Sequence, residues 1–234
     1  MEGNEVLWLE SAAAAAGQPV TYLSSGVHGD EPGAACGLLA WALANEKGLR
    51  AGSFLIFPCL NPVGLMNNTR VDGRGLDLNR RFHMDDDPVC GPWAEVVKQR
   101  EMPLGICLHE DYDAQGMSVY ELSRHRKGWS AEIMRRIATK RRTVEQGKDI
   151  DGRAMRDGVI QRKRSPTGLP GMPEAVRIFE LGCPVSLTFE TPSEFSLDDR
   201  VRAQARFVSI ALKLAGEWEK RGLHGGAARG RKDA

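Results

Sequence analysis

The 234-residue sequence has no CxxC pair, no long apolar run and almost no net charge. Its five cysteines, Cys36, Cys59, Cys90, Cys107 and Cys183, are odd in number and irregularly spaced. That pattern argues against a disulfide framework and against a cysteine-only zinc site. Cys59 and Cys107 fall inside apolar, strand-like runs and read as buried thiols. No apolar stretch approaches the length of a membrane span. A formal charge of +1 creates no global field to gather nucleic acid or a membrane surface. The segment MEGNEVLWLE is acidic, with no basic region leading into an apolar core, so it does not read as a signal peptide. A cytoplasmic protein is the expectation. Tyrosine is also scarce, and only Tyr22, Tyr112 and Tyr120 are present.

What is there suits a globular enzyme-sized domain, with 41% of residues hydrophobic and therefore enough apolar surface for a core. Val20–Val27 reads as a strand that runs into His28-Gly29-Asp30-Glu31. Pro32 then fits the first turn of a helix continuing through Gly33–Asn45. Ser53–Leu60 is a nearly continuous apolar run, the pattern of a strand buried on both faces. Asn61 to about Asp87 reads as a long functional loop. Trp93–Arg100 and Ser130–Arg142 read as helices, and Leu104–Leu108 as a strand ending at His109. Ser118–Leu122 and Val185–Glu190 also read as strands, with a polar, loop-rich stretch, Lys148–Pro173, between them. Ser196–Arg221 is an amphipathic helix with acidic residues in its first turn. Strands interleaved with helices predict an α/β fold, a single domain with a mixed, largely parallel sheet flanked by helices. Its expected extent is residues 1–224, with the Gly-, Ala- and Arg-rich residues 225–234 as a disordered tail.

In such a sheet, ligands bind beyond the carboxyl ends of strands. His28, Asn61, His109 and Glu190 all lie at or just past such ends. His28 and Glu31, three apart on a turn leaving a strand, can aim at one point. His109, from a distant strand, would complete a His2Glu set of the kind that holds catalytic zinc. Read alone, His28 is equally a turn histidine capping a helix, and His109 a strand-end histidine. Glu110 is a competing ligand, but adjacent strand residues face opposite ways. His83, His125 and His224 have no comparable placement.

The pieces His28-Gly-Asp-Glu31, Asn61-Pro-Val-Gly64, Arg70, Asp77-Leu-Asn-Arg80, a strand ending in His109, and Thr188-Phe-Glu190 occur in one order. In that order the chain resembles the zinc carboxypeptidase family, the carboxypeptidase A-like metallopeptidases, with their succinylglutamate desuccinylase and aspartoacylase relatives. The resemblance implies that His28, Glu31 and His109 bind Zn2+, with Asp77 behind a ligand imidazole. It makes Glu190 the general base, Arg70 the oxyanion stabiliser, and Asn79 and Arg80 the holders of a substrate carboxylate. Arg74 and Arg81 read as solvated surface charges.

The sequence departs from that family in three places. Val63 stands where the family has Asp, and Arg81-Phe82 where Asn-Phe is usual. No tyrosine lies in 148–181, where many peptidase members place one. The basic region around Arg124–Arg142 and Arg162–Arg164 reads as a solvated face, and alternatively as a rim attracting acidic substrates. The function expected is a zinc-dependent metallocarboxypeptidase acting on a carboxylate-bearing peptide. The alternative is an N-acyl amino acid deacylase of the desuccinylase/aspartoacylase kind. A small peptide or N-acyl amino acid is the expected partner, with no nucleic acid and no membrane.

Overall fold

Apolar runs that cannot stay in water become the middle of a sheet. The structure, a computed structural model, describes residues 6–125, 128–139, 143–147, 149–150 and 152–220. The chain opens with β1 (Leu9–Glu10), α1 (Ala12–Ala15) and β2 (Thr21–Ser25), followed by α2 (Pro32–Ala44), α3 (Glu46–Ala51) and β3 (Phe54–Phe57). Next come α4 (Pro62–Asn67), a 3-10 turn at Leu78–Arg80, α5 (Cys90–Val97) and β4 (Leu104–Asp111). β5 (Ser118–Ser123), α6 (Ser130–Ile137), the short hairpin β6 (Asp149–Ile150) and β7 (Arg153–Ala154), and β8 (Val159–Arg162) follow. The last elements are α7 (Glu174–Glu180), β9 (Val185–Pro192) and α8 (Leu197–Lys220).

Among the described residues, seven strands form the main sheet in the order β1-β3-β2-β4-β9-β5-β8. The four central strands, β3, β2, β4 and β9, run parallel. β1 is antiparallel to β3, and β5 is antiparallel to β9 with β8 parallel beside it. The fold is therefore the expected single-domain α/β arrangement with a mixed sheet.

Parallel strands are buried on both faces, which explains their near-continuous apolar character. On one face Leu23, Ile56, Ile106, Leu187 and Phe189 pack against α2, α6 and α8. Phe189 and Phe207 stack with ring centroids 4.1 Å apart. On the other face Tyr22, Leu55, Phe57 and Cys107 meet Trp93, Val97, Ile178 and Cys183. α2 and α8 pack so closely that a Cβ on Gly37 would lie 2.3 Å from the Gln204 Cβ.

Five sequence expectations need correction. Residues 61–87 are not wholly loop, because Asn61 caps α4 by accepting from the Gly64 N–H at 2.8 Å, with Pro62 at the first helical position. Asn68 then ends that helix in a left-handed conformation, φ 50°. The stretch read as loop-rich contains β6, β7 and β8, and β8 extends the main sheet. α7 lies just before β9, where the sequence pattern predicts no element. His109 sits inside β4, which runs two residues further, and the helix read over 130–142 ends at Ile137. Residues 140–142 and the tail 225–234 lie outside the described residues.

Candidate metal centre and active site

The turn between β2 and α2 is braced from behind. The Gly29 N–H donates to the Thr69 carbonyl at 3.0 Å. A Cβ on Gly29 would sit 1.9 Å from the Gly64 carbonyl carbon, so only glycine lets this turn rest on α4. The HGDE and NPVG segments are thus two halves of one packed corner, and that corner aims His28 and Glu31 at the end of β4.

His28, Glu31 and His109 are all buried, and one ligand atom from each lies within 4.8 Å of the others. Glu31 bridges the two rings. Its Oε1 is 2.5 Å from His28 Nδ1 and its Oε2 is 3.0 Å from His109 Nδ1. Burial alone would raise the Glu31 carboxyl, but His109 and His28 outweigh it and hold it near 2. Both imidazoles are shifted upward: burial opposes their charge, and Glu31 overcomes it. A buried carboxylate shared by two converging imidazoles is a donor set that suits a divalent transition metal. His109 is also anchored from the helical layer, where the Gln204 amide donates to its carbonyl at 2.7 Å.

Behind the cluster, Asp77 Oδ1 lies 3.3 Å from His28 Nε2 and accepts the Asn79 N–H at 2.9 Å. Its Oδ2 accepts from Arg70 Nε at 3.2 Å and Nη2 at 3.1 Å. Against the cost of burial, His28, Arg70 and Arg80 hold the Asp77 carboxyl well below the usual range. Asp77 therefore touches the far side of a candidate ligand ring. The Arg70 Nη1 is 3.4 Å from His28 Nδ1 and 4.0 Å from Glu31 Oε1, so its guanidinium borders the cluster.

Glu190 is the direct register partner of His109 in the β4–β9 ladder. Burial raises its carboxyl to about 8, with His109 partly opposing the shift. His28, Glu31, His109, Glu190, Arg70, Asn79 and Arg80 all line a single cavity of about 950 Å³. Every residue singled out from the sequence is therefore gathered at one place, with Asp77 in contact from behind.

Other residues depart from the expectation or were missed. The Asn79 Oδ1 accepts from the Glu174 N–H at 3.0 Å, so this side chain also ties the 3-10 turn to α7. Glu110 turns away from the cluster and pairs with Arg200 of α8, as strand alternation requires. Arg74 and Arg81 are not free surface charges. Both bind the buried Asp87, at 3.0 and 2.7 Å, and so staple residues 72–90. Tyr112 and Tyr120 line the cavity, although no tyrosine occurs in 148–181. In the basic region, Arg135 and Arg136 pair with Glu132, and Arg124 donates to the Phe179 carbonyl. Arg126, Lys127, Lys140, Arg141 and Arg142 lie outside the described residues.

Residues 17–104 match the model of the succinylglutamate desuccinylase/aspartoacylase catalytic domain. No curated protein matches the sequence. Among solved structures, the chain is similar to a candidate metallopeptidase from Shewanella amazonensis, with TM-score 0.77 and 21% identity over 89% of this chain and 82% of that one. It is similar to a metallo-carboxypeptidase from Burkholderia cenocepacia, with TM-score 0.65 and 16% identity over 91% and 61% of the two chains. The murein-tripeptide amidase MpaA from Escherichia coli O157 gives TM-score 0.57 and 15% identity over 88% and 85%. Among the described residues no helix is long and apolar enough to cross a membrane. Residues 17–104 thus carry the sequence pattern of the succinylglutamate desuccinylase/aspartoacylase catalytic domain, and the chain shares its fold with the metallopeptidase and amidase structures named above.

Proposed function

We propose that the protein is a zinc-dependent hydrolase that cleaves a terminal peptide or amide bond in a carboxylate-bearing substrate. The observation that carries this reading is the buried His28–Glu31–His109 cluster with Glu190 beside it, opening into one arginine-lined cavity. His28, Glu31 and His109 would hold the metal. A zinc ion bound there supplies Lewis-acid polarisation of a carbonyl and lowers the pKa of water.

The chain's own groups divide the remaining work. Asp77, within reach of His28 Nε2, keeps that ring's other nitrogen turned toward the cavity side. Glu190 accepts the proton of the attacking water on its carboxylate and returns it to the leaving amine. The Arg70 guanidinium, held by Asp77, faces the oxygen on which negative charge develops. Arg80 and the amide of Asn79 hold the substrate carboxylate, for which a guanidinium fork has the matching geometry.

Peptide cleavage is the leading reading. The murein-tripeptide amidase is named for a peptide-bearing substrate, and the shared fold makes a peptide the first class to try. Deacylation of an N-acyl amino acid is the second reading, favoured by the family model matching residues 17–104. The test is hydrolysis by the zinc-loaded protein of a panel of peptides and of N-acetyl and N-succinyl amino acids. Glu190→Gln should lower kcat by roughly 10²- to 10⁴-fold while the metal is retained. Turnover that survives Glu190→Gln would remove that residue from the chemistry.

A further inference from the structure

The helical layer leaves one edge of the sheet uncovered among the described residues. On the face that carries Leu23, Ile56, Ile106 and Phe189, α2 packs beside α8 and α8 beside α6. α2 is the outermost of the three, and its Trp41 meets Phe54 of β3 edge-on with ring centroids 5.8 Å apart. Beyond α2, Leu9 of β1 is the register partner of Ile56 and so points to the same face. Trp8 stacks on Phe57 on the opposite face, so alternation sets Leu7 beside Leu9. Leu7 and Leu9 are 70% and 58% exposed.

α2 adds a second apolar stripe at this edge. Gly33 and Gly37 face α8, while Leu38 and Trp41 pack on the sheet. Cys36, Leu39 and Leu43, three and four residues apart, fall together on the remaining side. Leu39 and Leu43 are 57% and 74% exposed, and Cys36 is exposed as well. From Pro32 to Ala44 the helix has no charged, amide or hydroxyl side chain. A helix apolar on every side is normally covered on every side. Charge stays at the rim: Glu10 points to the other face and pairs with Arg100, and Glu46 pairs with Arg50 past the end of α2.

The size and character of this surface fit a second copy of the chain. The four leucines and Cys36 expose about 500 Å², near the upper end for the largest apolar patch of a monomer. With a rim of neighbouring residues it approaches the roughly 800 Å² that each partner gives to a standard interface. An uncharged surface cannot select a partner by charge, but it matches itself about a two-fold axis. Such pairing also covers β1, whose outer edge carries no lysine or proline to deter another strand. The membrane-surface alternative lacks the basic residues that draw an interfacial helix to anionic lipid. The location also leaves the chemistry free, because the cavity extends to Tyr120 of β5 and Ile160 of β8 at the opposite edge of the sheet.

We propose that two copies of the chain associate through this edge, with Leu7 and Leu9 of β1 and Cys36, Leu39 and Leu43 of α2 packing on their counterparts about a two-fold axis.

Sedimentation velocity on the full chain, from about 0.1 to about 100 μM, reads the oligomeric state. Wild type should be a dimer at the upper end. Leu39→Glu and Leu43→Glu put charge into the contact and should sediment as monomers throughout, with unchanged far-UV circular dichroism. Leu39→Ala keeps the helix and should weaken the dimer about tenfold or more. Leu197→Glu, at an exposed leucine that begins α8, should dimerise like wild type. Alkylation of Cys36 by iodoacetamide needs no variant, since the other four cysteines are buried or half-buried. Its rate should fall about tenfold as the protein concentration rises and dimers form. A wild type that stays monomeric overturns the proposal, including one that floats with phosphatidylcholine–phosphatidylglycerol vesicles. So does a dimer that persists in both glutamate variants, or one that Leu197→Glu abolishes equally. Cys36 protection that does not change with concentration overturns it as well.

Discussion

Glu174 shows how a single residue can sit close to the chemistry and still serve the scaffold. Its carboxylate is fully buried and accepts from the Tyr22 hydroxyl, which in turn accepts the Trp93 indole N–H at 2.8 Å. Its backbone N–H holds Asn79. Burial raises its carboxyl above the ordinary 4.5, with Tyr22 and Ser24 partly offsetting the shift. A folded-state pKa above the unfolded one means that the folded chain binds the proton more tightly. The stabilisation is complete below the unfolded value and is lost as pH rises through the folded one. Glu174→Gln has no such proton to lose. Its Tm relative to wild type should therefore rise over the interval between the ordinary carboxyl value, 4.5, and the higher folded-state one. A difference that stays constant over that interval would mean that Glu174 does not titrate as described.

At the scale of elements, the site depends on two close approaches. The β2–α2 turn lies against α4 with no room for a side chain at Gly29. Gly29→Ala must move backbone, so the variant should lose about 2 kcal/mol or more of stability and bind metal more weakly. Denaturant melts with parallel zinc titrations measure both effects, and an unchanged zinc affinity would separate the turn from the metal centre. The second approach is α8 against the sheet and α2. Phe207 stacks on Phe189, one residue from Glu190, and is fully buried. Phe207→Ala should cost about 3–5 kcal/mol through the cavity it leaves, read from urea denaturation. A loss below 1 kcal/mol, far under the usual range, would show that the layer repacks.

Legibility in the sequence follows the same division by scale. The central strands were readable because burial on both faces leaves an apolar run, as in β3 and β4. His28 and Glu31 were readable because the turn that aims them is local. His109 and Glu190 were readable from the apolar runs that lead into them and from their order along the chain, although each strand continues two residues further. What stayed hidden depends on partners distant in sequence. The Asn79 amide caps a helix that starts 95 residues later, and nothing near Asn79 announces it. Arg74 and Arg81 looked like surface charges because their shared partner, Asp87, sits in a polar segment that gives no sign of burial. The start of α4 was written plainly as Asn61-Pro62 but was masked by the many turn-forming residues around it. Tyr120 and Arg162 reach the cavity only through the register of β5 and β8, and register is set by pairing between strands.

For the whole molecule, the central claim is that the fold brings His28, Glu31 and His109 together to hold one zinc ion. Three segments, the β2–α2 turn, β4 and the 3-10 turn bearing Asp77, must be folded before the donors converge, so metal binding and folding should be coupled. Glu190 lies beside the donors without belonging to the set. The most direct measurement is the zinc content of purified, chelator-dialysed and zinc-reloaded protein, for wild type, His109→Ala, Glu31→Gln and Glu190→Gln. One zinc per chain in wild type and in Glu190→Gln, with most of it lost from His109→Ala and Glu31→Gln, is the predicted result. No stoichiometric zinc in wild type, or as much zinc in His109→Ala as in wild type, would contradict the claim.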